Sequence, residues 1–142
     1  MGRWPAFPDS GEALGRLKRR FALIILSNVD RVSFAGSNTR LGVDFDLVIT
    51  ADDVGSYKPD ARNFAALFGG LASVGVERSE LVHVAQSLYH DHEPANAVGL
   101  ASVWIDRRHH LEGHGATPPP TGGATYGWRF TSLAAFADAV LA

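Results

Sequence analysis

Four short apolar segments of this chain lead into polar residues, and each is followed, directly or after a loop, by residues with helical features. This alternation predicts an α/β fold with helices on both faces of a parallel sheet. The carboxyl ends of such strands share one edge, where these folds bind ligands. The first segment is continuously apolar, which predicts a strand buried on both faces. The predicted strands are Phe21–Leu26, Leu47–Thr50, Leu81–Ala85 and Ser102–Ile105.

N-cap residues and apolar faces indicate where the predicted helices lie. Asp9 or Ser10 begins a helix that reaches about Arg20, and residues 28–41 are helical in part. Pro59 is predicted as the first residue of the next helix, because its missing N–H has no partner there. The apolar faces of that helix and of a closing helix comprise Phe64, Leu67, Phe68 and Leu71, and Leu133, Phe136, Ala137, Val140 and Leu141.

The composition of the chain excludes several classes of function. The 142 residues are predicted to form one domain, 1–142, with a surface loop at 108–127 that is rich in glycine, proline and histidine. A net charge of −2 offers no basic field for nucleic acid, and no apolar run is long enough to span a membrane. The chain has no cysteine, which excludes disulfides and thiolate chemistry. Without an apolar signal core, a cytoplasmic location is expected.

Three ordered motifs carry a family resemblance. They are Leu26-Ser27-Asn28, Tyr57-Lys58-Pro59-Asp60 and Val84-Ala85-Gln86-Ser87-Leu88-Tyr89-His90-Asp91. In this order they resemble motifs II, III and IV of the haloacid dehalogenase (HAD) superfamily, most closely its 2-haloacid dehalogenase-like branch. The resemblance runs from about residue 9 to residue 107. It implies a Rossmann-like three-layer α/β/α core and a hydrolase that forms a covalent ester on an aspartate.

The resemblance implies catalytic roles for Ser27, Asn28, Lys58 and Asp91. Ser27, followed by Asn28, would offer its hydroxyl to an anionic substrate group. Lys58 would supply a fixed positive charge to the substrate, and Asp91 would orient the lysine or a water molecule. The structural alternatives are helix caps for Ser27 and Asp91 and a solvated lysine for Lys58.

The same resemblance makes Gln86, Ser87 and Tyr89 candidate substrate-binding residues, with simple packing as the alternative for Tyr89. Phosphatases of the superfamily usually have an aspartate ligand for Mg²⁺ at the position of Gln86. A neutral amide weakens such a site, so no metal and no cofactor are predicted. Weak Mg²⁺ binding by Asp91 with Asp52 or Asp53 stays open.

A metal site built from the histidines of the surface loop is the less favoured interpretation of that segment. The residues concerned are His109, His110, Glu112 and His114.

The first family motif, an apolar strand that ends in the nucleophilic aspartate, is not found upstream of Ser27. Asp9 has no apolar strand before it, and Asp44 and Asp46 precede their strand, so we interpret both as solvated. The chain thus resembles the second half of the family fold, without the cap and without the first, central strand. The two unpaired strand edges predict a rearranged sheet, a homo-oligomer or a second chain that completes the sheet.

Several functions follow from this partial resemblance. The first is a HAD-like hydrolase of the haloacid dehalogenase type for a small anionic substrate, inactive as this isolated chain because the nucleophile is missing. The second is a non-catalytic remnant or anion-binding module, and the third is a phosphatase-like hydrolase of the same superfamily. Whether the chain is a natural fragment or has a misassigned start is left open.

Overall fold

A computed structural model describes residues 9–107 and 126–142 as alternating helices and strands. The helices are α1 (Ser10–Lys18), α2 (Arg31–Leu41), α3 (Ala51–Val54), α4 (Ala61–Gly70), α5 (Glu93–Ala97) and α6 (Leu133–Leu141). The strands are β1 (Ile24–Ser27), β2 (Leu47–Thr50), β3 (His83–Ala85), β4 (Ser102–Ile105) and β5 (Trp128–Phe130). A π-helical turn, Leu88–His92, leads from β3 into α5.

All strand pairs in the described part of the chain are parallel, which confirms the predicted α/β fold. β1 pairs with β2, and β4 lies between β3 and β5. The strands form two sheets, and the break falls between β1 and β3, where the family resemblance places the missing central strand. The sequence did not predict β5, because this three-residue strand is partly exposed and lacks an apolar run.

The helix boundaries follow from local caps. The side chain of Asp30 accepts the N–H of Ser33 at 2.7 Å at the start of α2. Asp60 caps α4 by accepting the N–H of Arg62 at 2.9 Å. The first residue of α4 is therefore Ala61, and the prediction that Pro59 begins this helix is wrong by two positions.

Two apolar clusters lie on opposite faces of the sheets. One joins α1 and α6 to β4, and the other packs α4 against β2. On β3, Val84 packs against the first cluster, while the ring of His83 contacts Phe64 of the second at 5.3 Å between centroids. Neighbouring residues of a strand point to opposite faces, so the helices form two outer layers. The predicted face of α4 is confirmed by the burial of Phe64 and Leu67.

A cleft of about 830 Å³ separates the two sheets. We call it the β1–β3 cleft, since β1 and β3 line its walls. The prediction that Phe21–Leu26 is a strand buried on both faces is wrong. The strand begins at Ile24 and is half-buried, and Phe21 is 46% exposed. The reason is the cleft, which leaves β1 without a neighbour on one side.

The predicted surface loop lies outside the described residues, apart from Tyr126 and Gly127. The histidine cluster of that loop lies outside them as well. The single domain spanning residues 1–142 stays a prediction. Among the helices of the described ranges, none has the length and apolar character needed to cross a membrane.

Candidate active site

A buried ion pair joins two of the predicted catalytic residues at the β1–β3 cleft. Lys58 Nζ donates to Asp91 Oδ1 at 2.5 Å, and the two side chains are 10% and 8% exposed. Lys58 lies between α3 and α4, and Asp91 lies in the π-helical turn after β3; both line the cleft. Because charges interact more strongly away from bulk water, this ammonium group can attract an anion that enters the cleft.

Asn28 fixes the main chain of Lys58. The Asn28 side chain accepts the Lys58 backbone N–H at 2.6 Å through Oδ1. Through Nδ2 it donates to the Lys58 carbonyl at 3.1 Å. Asn28 directly follows β1, so these bonds tie the loop that carries Lys58 to the carboxyl end of that strand.

His83 is a third member of the ion pair that the sequence prediction missed. Its Nε2 lies 2.8 Å from Asp91 Oδ1, the same oxygen that Lys58 contacts. Burial opposes ionisation of Asp91, but the charge of Lys58 and the hydrogen bond and charge from His83 outweigh it. The pKa of Asp91 therefore lies well below its ordinary value, and the carboxylate stays ionised. The sequence carried one signal for this role, since His83 is a titratable residue within the otherwise apolar predicted strand Leu81–Ala85.

Ser27 ends β1, next to Asn28. Its Oγ accepts the backbone N–H of Val29 at 3.2 Å, so the hydroxyl serves the local turn. A hydroxyl oxygen that accepts this bond still has its proton to donate. Ser27 is half-buried, and its neighbour in the sheet is Thr50 of β2.

The predicted substrate-binding residues follow β3 and make mainly local contacts. Ser87 Oγ accepts the His90 backbone N–H at 2.9 Å and caps the π-helical turn. The Tyr89 ring contacts the His90 ring at 4.9 Å between centroids. Gln86 is exposed, and its carbonyl accepts the Trp104 indole N–H at 2.9 Å.

His92 lies buried behind the ion pair, where it joins three elements. Nε2 lies 2.9 Å from the Ala85 carbonyl and Nδ1 lies 2.9 Å from Ser102 Oγ. A carbonyl can only accept, so Nε2 carries the proton and Nδ1 accepts from the Ser102 hydroxyl. Burial lowers the pKa of His92 and outweighs the hydrogen bond to the Ala85 carbonyl, which acts in the opposite direction. The lowered pKa favours the neutral ring.

Known proteins with similar sequences and structures come from one superfamily. A scan against protein-family models finds no match. A phosphoserine phosphatase of Thermus thermophilus is 31% identical over 121 residues, which are 82% of this chain and 47% of that protein. A (S)-2-haloacid dehalogenase of Pseudomonas sp. is 31% identical over 140 residues, 96% of this chain and 55% of that protein. The crystal structure of a HAD phosphatase from Thermococcus onnurineus matches with a TM-score of 0.72 and 26% identity, over 95% of this chain and 58% of that one.

The chain belongs to the haloacid dehalogenase superfamily. It spans about half the length of the curated relatives that it matches. Those relatives include both a dehalogenase and a phosphatase, so the similarity is shared by two reaction types.

The carboxylates predicted as possible weak Mg²⁺ ligands have protein partners in the structure. Asp91 Oδ1 already accepts from Lys58 and His83, and Gln86 is neutral and exposed. Asp53 binds Thr50 and the guanidinium of Arg31. Within residues 9–107 and 126–142, no group of three or more histidine, cysteine or acidic side chains could hold a metal ion. Mg²⁺ requires several oxygen ligands in near-octahedral positions.

Asp9, Asp44 and Asp46 are not predicted to be the nucleophile, and none of the three lines the β1–β3 cleft. Among described residues, Glu80 and Asp91 are the carboxylates that line the β1–β3 cleft. Asp9 instead accepts from Arg107 at 2.9 Å and from the N–H of Ala134 at 2.9 Å.

The Asp-x-Asp pair before β2 has other contacts. Asp44 is exposed. Asp46 is also exposed, but it accepts from Lys18 and from the N–H of Leu23, both at 2.7 Å, so it ties α1 to the start of β1.

Proposed function

We propose that this chain carries the anion-binding part of a hydrolase active site of the 2-haloacid dehalogenase type, for a small carboxylate-bearing substrate. The observation that supports the proposal most is the Lys58 ammonium group, held at the cleft by Asp91 and tied to β1 through Asn28. Preorganised charge of this kind stabilises developing negative charge without rearranging during the reaction.

Each predicted residue has a role in this proposal. Lys58 attracts the substrate carboxylate, and the Ser27 hydroxyl donates a second hydrogen bond to it. Asn28 and Asp91 hold Lys58 in place, so they are positioning residues for the lysine. Gln86, Ser87 and Tyr89 lie on the following turn and would contact the rest of a small substrate.

The reaction needs a carboxylate nucleophile besides these residues. In the proposed chemistry, a carboxylate oxygen attacks the carbon that bears the halogen, and the halide leaves with the bonding electron pair. Water then cleaves the resulting ester and restores the carboxylate. Asp91 is unsuited to the attack, because Lys58 and His83 both donate to it. We therefore propose that the 142-residue chain binds anions but turns over neither halocarboxylates nor phosphate esters by itself.

Two other functions have specific support. A phosphatase of the same superfamily is favoured by the similarity to the Thermus phosphoserine phosphatase. A non-catalytic anion-binding module is favoured by the carboxylates of the cleft. Among the described residues that line it near Lys58, the carboxylate is Asp91, and Asp91 is already paired with that lysine. Gln86 favours the dehalogenase type, and we propose that anion binding does not need Mg²⁺.

The test combines turnover and binding. Halide release from 2-chloropropionate and phosphate release from p-nitrophenyl phosphate are measured with and without Mg²⁺. Binding of propionate, of 2-chloropropionate and of inorganic phosphate is followed by NMR titration of the backbone amides. We expect no turnover, and shifts at Ser27, Asn28 and Lys58 with the carboxylates, independent of Mg²⁺.

A matched pair of variants separates the site from general charge effects. Lys58→Met should abolish the anion-dependent shifts. Lys18→Met, which removes a lysine paired with Asp46 outside the cleft, should leave them unchanged. Equal loss in both variants, or turnover that Lys58→Ala abolishes, contradicts the proposal.

The partner and the location are proposed as well. The break between the sheets supports a second chain or a second copy that completes them. A cytoplasmic location stays a prediction from composition, to be tested by fractionation of cells that express the protein.

A further inference from the structure

His83 is the first residue of β3, and its side chain lies at the β1–β3 cleft beside the ion pair. The side chain is 12% exposed, and His83 lines the cleft together with Lys58 and Asp91. Its ring packs edge-on against the ring of Phe64 in α4, with 5.3 Å between centroids and 73° between the ring planes. This packing holds the imidazole in one orientation.

The contact between His83 and Asp91 fixes which atom carries the proton. The Asp91 carboxylate is ionised and can only accept, so the donor is His83 Nε2, 2.8 Å from Asp91 Oδ1. A neutral ring with its proton on Nε2 and a protonated ring both donate from this nitrogen. His83 is therefore a hydrogen-bond donor to Asp91 whatever the charge of its ring.

One oxygen of Asp91 accepts from two donors. Lys58 Nζ lies 2.5 Å from Asp91 Oδ1, and His83 Nε2 lies 2.8 Å from the same atom. A carboxylate oxygen has about two lone-pair sites, so both are used. Because the second donor withdraws part of the negative charge, Asp91 attracts the Lys58 ammonium group less strongly than it would alone. The ammonium group is then held in place but not fully neutralised.

The bond from His83 matters most when an anion enters the cleft. The anion competes with Asp91 for the Lys58 ammonium group, and the Asp91 side chain is only 8% exposed. A buried carboxylate that loses its donors is strongly destabilised. His83 stays in contact, because Phe64 rather than Lys58 holds its ring. Lys58 can thus turn to the anion while Asp91 remains hydrogen-bonded.

Two other polar side chains near the ion pair are already engaged. His92, the residue after Asp91, is bonded through its two ring nitrogens to the Ala85 carbonyl and to the Ser102 hydroxyl. Asn28 uses its amide for the main chain of Lys58. Besides Lys58, the donor that the described part of the chain brings to the Asp91 carboxylate is His83.

We propose that His83 is a positioning residue for anion binding, whose Nε2–H holds the Asp91 carboxylate so that the Lys58 ammonium group stays available to an anionic substrate group. This role rests on the proposed function, since it concerns the same anion site. It adds a residue that lies outside the three motifs of the family resemblance.

Two substitutions of similar shape test the donor. Glutamine and methionine have side chains of similar length, but only glutamine can donate a hydrogen bond from the place of the histidine Nε2. His83→Gln should therefore retain the role, and His83→Met should lose it. The affinity for 2-chloropropionate is measured in the full chain at pH 7 by NMR titration of the Asn28 and Lys58 amides.

We expect His83→Met to weaken the binding of 2-chloropropionate about tenfold, the lower end of what a hydrogen bond to a charged group contributes. His83→Gln should bind within about threefold of the wild type. Val82→Met places the same side chain one residue earlier at the cleft, outside the ion pair, and should leave the affinity unchanged.

A double variant tests whether His83 acts through Asp91. In an Asp91→Asn background the acceptor charge is gone, so His83→Met should change the affinity less than about twofold. General damage to the cleft would instead weaken binding equally in both backgrounds. If Asp91→Asn does not fold, the comparison of His83→Gln with His83→Met still decides.

The wild type also provides a test that needs no substitution. The ring ¹⁵N signals of His83 should show a proton on Nε2 both with and without 2-chloropropionate. A neutral ring with its only proton on Nδ1 would overturn the proposal.

Three affinity results would overturn the role of His83 and leave the proposed function standing. They are equal affinity of the wild type and His83→Met, equal losses in His83→Gln and His83→Met, and an undiminished loss in the Asp91→Asn background. A wild type that binds no anion would overturn both proposals, so the two failures are distinguishable.

Discussion

Asn28 holds Lys58 by the main chain, with its side-chain amide bonded to both the N–H and the carbonyl of that one residue at 2.6 and 3.1 Å. The lysine backbone is thus fixed from β1, while its ammonium group is fixed from the turn after β3. Two separate sheets therefore determine the position of one charge.

Replacing Asn28 should loosen this arrangement. Asn28→Ala removes both bonds and leaves half-buried backbone groups unpaired, so we expect a loss of about 1–3 kcal/mol in the free energy of unfolding. Asn28→Asp keeps the acceptor for the Lys58 N–H but loses the donor, and should lie between wild type and Asn28→Ala. Urea unfolding at pH 7 measures both. Equal stability of wild type and Asn28→Ala contradicts the role.

The Lys58–Asp91 pair should show strong coupling. Lys58→Met leaves the buried Asp91 carboxylate with the His83 bond but no ammonium partner, and Asp91→Asn leaves the buried Lys58 ammonium without its carboxylate. Each should cost up to about 3–5 kcal/mol. The double variant should lose clearly less than the sum of the two, since neither charge then remains. A double-mutant cycle from urea unfolding gives the coupling. Additive losses would show that the two charges do not interact.

His92 should make stability depend on pH in the weakly acidic range. Its pKa is lower in the folded chain than the ordinary value of about 6.5, so the unfolded chain binds the proton more readily. Its contribution is complete above about pH 6.5 and is lost as the pH falls below it.

The measurement compares thermal midpoints of wild type and His92→Gln between pH 5 and pH 8. The wild type should lose more stability towards pH 5 than the variant. The lowered pKa of Asp91 does not interfere, because its stabilisation is lost only below about pH 4. Parallel curves of thermal midpoint against pH for the two proteins would exclude His92 as the source of this pH dependence.

Two glycines of α1 should respond oppositely to alanine. A Cβ at Gly11 would lie 2.9 Å from the Leu41 carbonyl oxygen, a backbone atom of α2 that cannot move aside cheaply. Gly11→Ala should therefore destabilise the chain. A Cβ at Gly15 meets nothing within 4 Å, so Gly15→Ala should stabilise it by about 0.5–1 kcal/mol. Thermal melting of both variants checks the packing of α1 on α2, and stabilisation by both would contradict it.

Much of the fold could be predicted from the sequence because apolar runs and their periodicity encode it. β2 and β4 begin and end at the predicted residues, and the apolar face of α4 is buried as expected. The start of β1 could not be predicted, since the apolar run Phe21–Leu26 does not reveal that one edge borders a cleft.

Less of the candidate site than of the fold could be predicted from the sequence. The contact between Lys58 and Asp91 was predicted from the family resemblance, which implies that Asp91 orients the lysine. The part played by His83 could not be read from the sequence, because its approach to Asp91 depends on how the π-helical turn folds back over β3. The local bonds of Ser27 and Ser87 likewise depend on turn geometry.

The β1–β3 cleft also makes the protein sensitive to hydrostatic pressure. Space that is poorly filled in the folded chain is eliminated on unfolding, so compression favours the unfolded state. Any part of the apolar cleft that water does not fill should therefore lower the pressure at which half of the molecules unfold. A segment that fills it would raise that pressure, so compression reports occupancy without any chemical label.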